Sequence, residues 1–244
     1  MNFNTTTTVR DLAVEIPGAT RVFEKLKIDY CCGGGQTLAA ACATAHISTD
    51  EVERLLEQAS TAPNQAQGSE TFDTAKLSLL IEHIVNLHHF FTKQEVDRLD
   101  ALAEKVFLAH GANHPELASV KQLVNDLGND LRPHMMKEER VLFPYIVNLE
   151  ESATQHLPAT APPFGTVQNP VRMMMAEHDA VGDLLVKLRE VTNNYTVPAD
   201  GCFSYQTLYH ALVALEEDLH QHIHLENNIL FPRAVAMETK AFAE

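Results

Sequence analysis

One eleven-residue pattern occurs twice in this chain of 244 residues. The first copy runs from His134 through Glu138 to Leu142-Phe143-Pro144. The second runs from His222 through Glu226 to Leu230-Phe231-Pro232, 88 positions later, and both read H-x-x-x-E-x-x-x-L-F-P. Residues four apart on an α-helix lie about 40° apart, stacked on one face. Each copy therefore aims an imidazole and a carboxylate at one spot. A further histidine precedes each copy at matching distance: His89 stands 45 residues before His134, and His178 stands 44 before His222. A chain that repeats such a pattern in register is constrained to fold as two equivalent halves. Each half is a helix bearing one His, then a helix bearing H-x-x-x-E.

The rest of the sequence fits that constraint. Stretches rich in Ala, Leu, Glu and Val favour helix. The periodicity predicts long helices over 73–110, 115–150, 170–195 and 202–239. His110-Gly111-Ala112-Asn113 stops the first. Pro158, Pro162, Pro163 and Gly165 make 152–169 a loop, and Asn169-Pro170 is an N-cap with proline at the first helical position. Asn193-Asn194 to Gly201 forms the last connection. Pro144 and Pro232 are expected to kink or end their last turns. The fold class is all-α, an up-down four-helix bundle over 73–244. Before it, 63–72 reads as a polar linker and 1–62 as a small helical N-terminal domain. In that domain Val9–Val14 and Arg21–Ile28 are separated by Pro17-Gly18, and Thr37–Ala45 follows. Ser48-Thr49-Asp50-Glu51 is a capping box.

The formal charge of −15 disfavours nucleic acid as a partner. No apolar run is long enough for a transmembrane helix, so no membrane partner is expected. The N-terminus lacks the basic start and apolar stretch of a signal peptide. Cys31, Cys32, Cys42 and Cys202 read as reduced thiols, since a bond between neighbours would be strained; the expected location is the cytoplasm.

Histidine is the unusual count, at 13. Neutral imidazole is the commonest side-chain ligand for transition metals. The candidate ligands are His89, His134, His178 and His222, with Glu138 and Glu226 shared between two metals. Imidazole with carboxylate suits iron or manganese. A lone buried histidine is more often a hydrogen-bonded core residue, but two whole copies in one register resist that explanation. Of His88 and His89, neighbours on one helix, at most one is expected to face inward, and His83 lies off that face. His220 and His224 straddle His222 and point elsewhere. His46, His110, His114, His156 and His210 read as surface or loop residues. Glu139 and Glu177 are expected in solvent or against the ligands, and Leu142-Phe143 and Leu230-Phe231 in the core. Cys31-Cys32-Gly33-Gly34-Gly35 is open to two readings: a tight turn that needs its glycines, or thiolates at a helix start that bind metal or exchange electrons. An adjacent pair cannot close a zinc site alone. A second copy of the chain would complete one, so a homodimer is among the assemblies open to it.

Several stretches together resemble one known family: Asp29-Tyr30-Cys31-Cys32-Gly33-Gly34 followed by Gln36-Thr37-Leu38, His134-Met135-Met136-Lys137-Glu138-Glu139, Glu177-His178-Asp179, and Leu225 to Ala234. Over nearly the whole chain the sequence is similar to the RIC (repair of iron centres) proteins, also called iron–sulfur cluster repair di-iron proteins. Gly35 departs from the family pattern, standing where a basic residue is often found. The resemblance implies a haemerythrin-like bundle with two non-haem iron ions in a bridged di-iron centre. It implies iron ligation by His89, His134, His178 and His222, with Glu138 and Glu226 bridging, and an activity that needs Cys31 and Cys32. It also implies a cytoplasmic protein of nitrosative and oxidative stress, whose partners are damaged iron–sulfur proteins and nitric oxide or oxygen species. Repair by supplying iron is the first expected activity, and nitric oxide reduction at the two irons an alternative. Haemerythrin-like oxygen or nitric oxide binding is another. The symmetric halves, with one histidine fewer than haemerythrin, disfavour stable oxygen carriage.

Overall fold

A computed structural model describes residues 6–16, 18–31, 33–61, 72 and 74–243. Pro17, Cys32 and all of the expected linker except Phe72 lie outside the described residues. Hydroxyl side chains start three of the N-terminal helices. Thr8 Oγ1 accepts from Asp11 N before α1 (Val9–Glu15), and Thr37 Oγ1 from Ala40 N before α3 (Leu38–Ala45). Ser48 Oγ accepts from Glu51 N before α4 (Thr49–Thr61). Each satisfies a backbone donor that the first helical turn leaves open. α2 (Ala19–Leu26) follows Gly18, whose φ of 80° suits glycine. The apolar faces of these helices close a small core around Val9, Leu12, Phe23, Leu38 and Leu56.

The cysteine turn lies between α2 and α3. The Asp29 carboxylate gathers it, accepting from Cys31 N at 2.9 Å, from Gly33 N at 2.8 Å and from the Cys31 thiol at 3.3 Å. Backbone bonds from Val9 N to Gln36 O and from Arg10 N to Gly34 O stitch the turn to α1. A Cβ on Gly34 would lie 2.6 Å from the Tyr30 carbonyl oxygen, a backbone atom that cannot swing aside. Gly34→Ala is therefore expected to destabilise the N-terminal unit by about 2 kcal/mol or more. Limited proteolysis between residues 8 and 60 would show it; wild-type protection would refute the steric argument.

Four long helices form the bundle. α5 spans 77–110, α6 spans 116–155, α7 is Gln168–Val191 and α8 spans 203–241. α5 packs beside α6 and α8, and α6 beside α7. Arg189 Nε donates to Glu216 at 2.6 Å, tying α7 to α8. The starts of α5 and α7 are capped from a neighbouring helix. Glu150 accepts from Leu77 N and Ser78 N, and Glu238 accepts from Val167 N. These carboxylates sit at the positive end of each helix dipole. Because Glu238 holds Val167, α7 starts at Gln168, ahead of the expected Asn169-Pro170 cap.

Three bundle helices widen into a π turn: Ile84–His89 in α5, Glu138–Leu142 in α6 and Leu225–Leu230 in α8. Pro144 and Pro232 each follow such a turn, and their helices run on to Gln155 and Ala241 rather than ending there. Proline in an α-helix clashes with the carbonyl four residues back. The wider turn before it shifts that carbonyl and lets the helix continue. The interior has two apolar clusters. One contains Leu80, Ile84, Ile146, Met174 and Phe231; the other contains Val96, Leu131, Leu185, Tyr205 and Leu219. The histidines and glutamates of the repeat form a polar layer between them. Among the described residues no helix is long and apolar enough to cross a membrane.

Candidate metal centre

The structure brings all six repeat-derived residues together. His89, His134, His178, His222, Glu138 and Glu226 are each at most 2% exposed. They fall into two groups: His89, Glu138, His222 and Glu226, and His134, Glu138, His178 and Glu226. Within each group the nearest donor atoms lie within 4.8 Å of one another. Both glutamates belong to both groups. Each histidine pair draws one member from each half of the bundle, which the repeat spacing did not reveal.

The donor atoms face one another across the bundle interior. His89 Nε2 is 3.1 Å from His222 Nε2, and His178 Nε2 is 2.9 Å from His134 Nε2. Glu138 Oε2 lies 3.4 Å from the Nε2 atoms of both His89 and His134. Glu226 presents Oε1 to His222 at 3.0 Å and Oε2 to His178 at 3.1 Å.

Side chains behind the rings set which nitrogen faces inward. His89 Nδ1 is 2.7 Å from Glu139, His134 Nδ1 is 2.8 Å from Glu177, and His178 Nδ1 is 2.9 Å from Asn227 Oδ1. An acceptor on Nδ1 keeps the proton there and turns the Nε2 lone pair inward. Lys93 and Lys137 hold Glu139 and Glu177 in turn. Among the described residues His222 Nδ1, alone of the four, has no such partner. Phe143 and Phe231, the phenylalanines of the repeat, stack on His89 and His178.

Two lone pairs about 3 Å apart repel unless a proton or a cation lies between them. Among the described residues both Glu138 oxygens are buried without a hydrogen bond, and Glu226 Oε2 has only the His178 ring nitrogen beside it. A buried carboxylate in that state costs several kcal/mol, roughly, and a bound cation removes the cost. This donor set fits a pair of iron or manganese ions bridged by two carboxylates.

Without metal the cluster retains protons. Burial alone would lower His89, but the Glu138 and Glu226 carboxylates override it and hold His89 up to about 10. His178 is likewise lowered by burial, yet Glu226 and then Glu138 raise it to about 9. Burial and the neighbouring imidazole of His178 push His134 down, and burial does the same to His222. Burial would raise Glu226, but the imidazoles of His222, His178 and His89 hold it well below the carboxylate range. Glu138 is pushed up, by burial and then by the charge on Glu226.

One expectation fails. His88 and His89 are both buried, at 2% and 0% exposure, although an α-helix would turn one of them outward. The π turn over Ile84–His89 changes the angular step and brings both inside. His88 bonds Asp218 at 2.9 Å and stacks on His222 with ring centroids 5.6 Å apart. His83 packs between Phe72 and His88. His224 points away from the donor cluster, against Tyr30, and is buried there. Asn227 and the capping glutamates went unnoticed in the sequence. Glu150 and Glu238 are themselves 88 positions apart, so the repeat would have found them. Cys31 is buried and packs with the bundle cluster that contains Val96, Leu131 and Leu219, and Cys32 lies outside the described residues.

Residues 80–234 match the family described as Hemerythrin HHE cation binding domain. Residues 5–60 match a domain of unknown function, DUF542. The chain is 35% identical over 227 residues to a probable iron-sulfur cluster repair protein of Haemophilus influenzae, covering 92% of this chain and 95% of that one. It is also 35% identical over 228 residues to the iron-sulfur cluster repair proteins YtfE of Citrobacter koseri and Escherichia coli O81, covering 93% of this chain and 96% of each relative. By these matches, spanning almost its full length, the chain belongs to the iron–sulfur cluster repair family that carries a hemerythrin HHE cation-binding domain.

Proposed function

We propose that the protein holds two iron ions, bridged by Glu138 and Glu226, and supplies iron to iron–sulfur clusters damaged by nitrosative or oxidative stress. His89 and His222 would hold one ion, His134 and His178 the other. The observation carrying this reading is the pair of buried glutamates lying between four inward-facing Nε2 atoms, with neither Glu138 oxygen hydrogen-bonded among the described residues. The names of its relatives support repair as the role. Iron here is cargo, held by neutral imidazole and carboxylate rather than by a chelating cage of thiolates. Carboxylates that also take protons give such a site a route to release. In this reading Cys31 and Cys32 act at the handover, in a unit distinct from the bundle, and the work takes place in the cytoplasm.

The test uses a hydratase whose cluster has been damaged by nitric oxide. The iron-loaded protein is expected to restore its activity. A Cys31→Ser, Cys32→Ser variant is expected to keep its iron and restore little. Failure of the loaded wild type to restore activity would overturn the repair reading. Nitrous oxide evolved from the reduced protein and nitric oxide would instead favour reduction at the irons.

A further inference from the structure

The N-terminal unit covers a face of α8 for which the internal repeat supplies an uncovered counterpart. His220, His224 and Asn228 on α8 correspond, 88 positions back, to Arg132, Met136 and Arg140 on α6. Those three α6 side chains are exposed. His224 is 6% exposed, under the ring of Tyr30, with centroids 5.4 Å apart. Where the first half has exposed side chains, the second half thus has ones that seat the cysteine turn.

Asn228 is at the centre of that seat. Its Nδ2 donates to the Tyr30 carbonyl at 2.9 Å and approaches His224 Nδ1 at 2.8 Å, so both amide hydrogens are used. The Tyr30 carbonyl leads directly into Cys31. Cys31 is 5% exposed and packs with the bundle cluster that contains Val96, Leu131 and Leu219, although it belongs to the N-terminal unit. Lys27 to Asn194 at 3.2 Å and Gln221 to Glu24 at 3.5 Å also cross the junction, and both bonds are exposed. Exposed polar contacts of this kind hold little. Beside them a cleft of about 740 Å³, lined by Arg21, Lys25, Asp179, Asp183 and Glu217 among others, leaves the junction partly unsealed. One residue back along α8, Asn227 accepts from the candidate ligand His178. Consecutive asparagines therefore touch the metal centre and the cysteine turn.

We propose that Asn228 is a positioning residue, a latch that holds the cysteine turn over the metal-bearing stretch of α8 and must open before Cys31 meets its target. The proposal rests on the repair reading, in which Cys31 acts on another protein. A thiol packed against the bundle core cannot reach an iron ion in a second protein until its turn lifts.

The test measures iodoacetamide labelling of the iron-loaded full chain, with Cys31 and Cys32 distinguished by fragment-ion mass spectrometry. Asn228→Ala removes two neutral hydrogen bonds and is expected to speed Cys31 labelling about tenfold. Cys42, in the core of the N-terminal unit, should label at its wild-type rate, and the visible absorption of the iron centre should be retained. Lys27→Ala, at the exposed rim, should change Cys31 labelling by less than about twofold. An unchanged Cys31 rate in Asn228→Ala would overturn the latch. So would an equal rise at Cys42, which would mean that the unit had loosened as a whole. No damaged enzyme enters the measurement, so the latch can fail while repair stands, and repair can fail while the latch stands.

Discussion

Glu138→Leu is expected to empty the metal centre. Glu138 lies 3.4 Å from one histidine of each pair and belongs to both donor groups. In the proposed di-iron reading, its loss would remove a shared anionic ligand from both ions. Loss of a mere outer partner already weakens metal sites by 10–100-fold or so. Loss of this bridge should exceed about 100-fold, and iron per chain after dialysis against a mild chelator should fall close to background. A variant that retains full iron would contradict the assignment of Glu138.

Iron uptake should release protons, and affinity should climb steeply with pH. Without metal, His89 is held up to about 10 and His178 up to about 9 by the two glutamates. Both are protonated at neutral pH, and iron must displace both protons to reach the nitrogens. Two displaced protons give about a 100-fold rise in affinity per pH unit from neutral to about 9, then about tenfold per unit to about 10. Glu138, pushed up beside Glu226, adds to the release near neutrality. His134 and His222 are pushed down and already neutral, so they add nothing there. The same shifts fix a sign for stability. A histidine raised in the folded state stabilises fully below its ordinary pKa of about 6.5 and loses that contribution as pH passes its folded value. The metal-free chain should therefore melt progressively lower from about pH 6.5 to 10, and the iron-loaded chain should not. Anaerobic ferrous titration on a pH-stat counts the protons. Uptake with no release, or an affinity flat between pH 7 and 9, would refute the proton-filled cluster.

The six donor positions were legible because two physical periods coincide there. The four-residue helical step pairs each His with its Glu, and the 88-residue repeat doubles the pair. The exchange of histidines between halves was not legible, since it depends on how four helices are arranged around one axis. His88 was misjudged because nothing in Ile84–His89 announces a π turn, and a uniform α-helical step puts its ring outside. The seat of the cysteine turn was hidden for another reason. Its hydrogen bond joins Tyr30 to Asn228, residues 198 positions apart, and local pattern carries no information over that distance. Departures from the repeat did mark it: Asn228 and His224 stand where the first half has Arg140 and Met136.

The π turns divide each helix that carries one into two separately phased lengths. A π turn takes up one more residue than the α-helical path it replaces. The apolar stripe above the polar layer is therefore offset by one residue, about 100° of rotation, from the stripe below it. Deleting one residue within Glu138–Leu142 or Leu225–Leu230 would restore an unbroken α-helix and turn one entire end of that helix out of its core. Insertions and deletions of single residues, usually tolerated only in loops, thus have a defined place inside these helices. The chain can set the angle of its histidines and glutamates independently of the packing at either end.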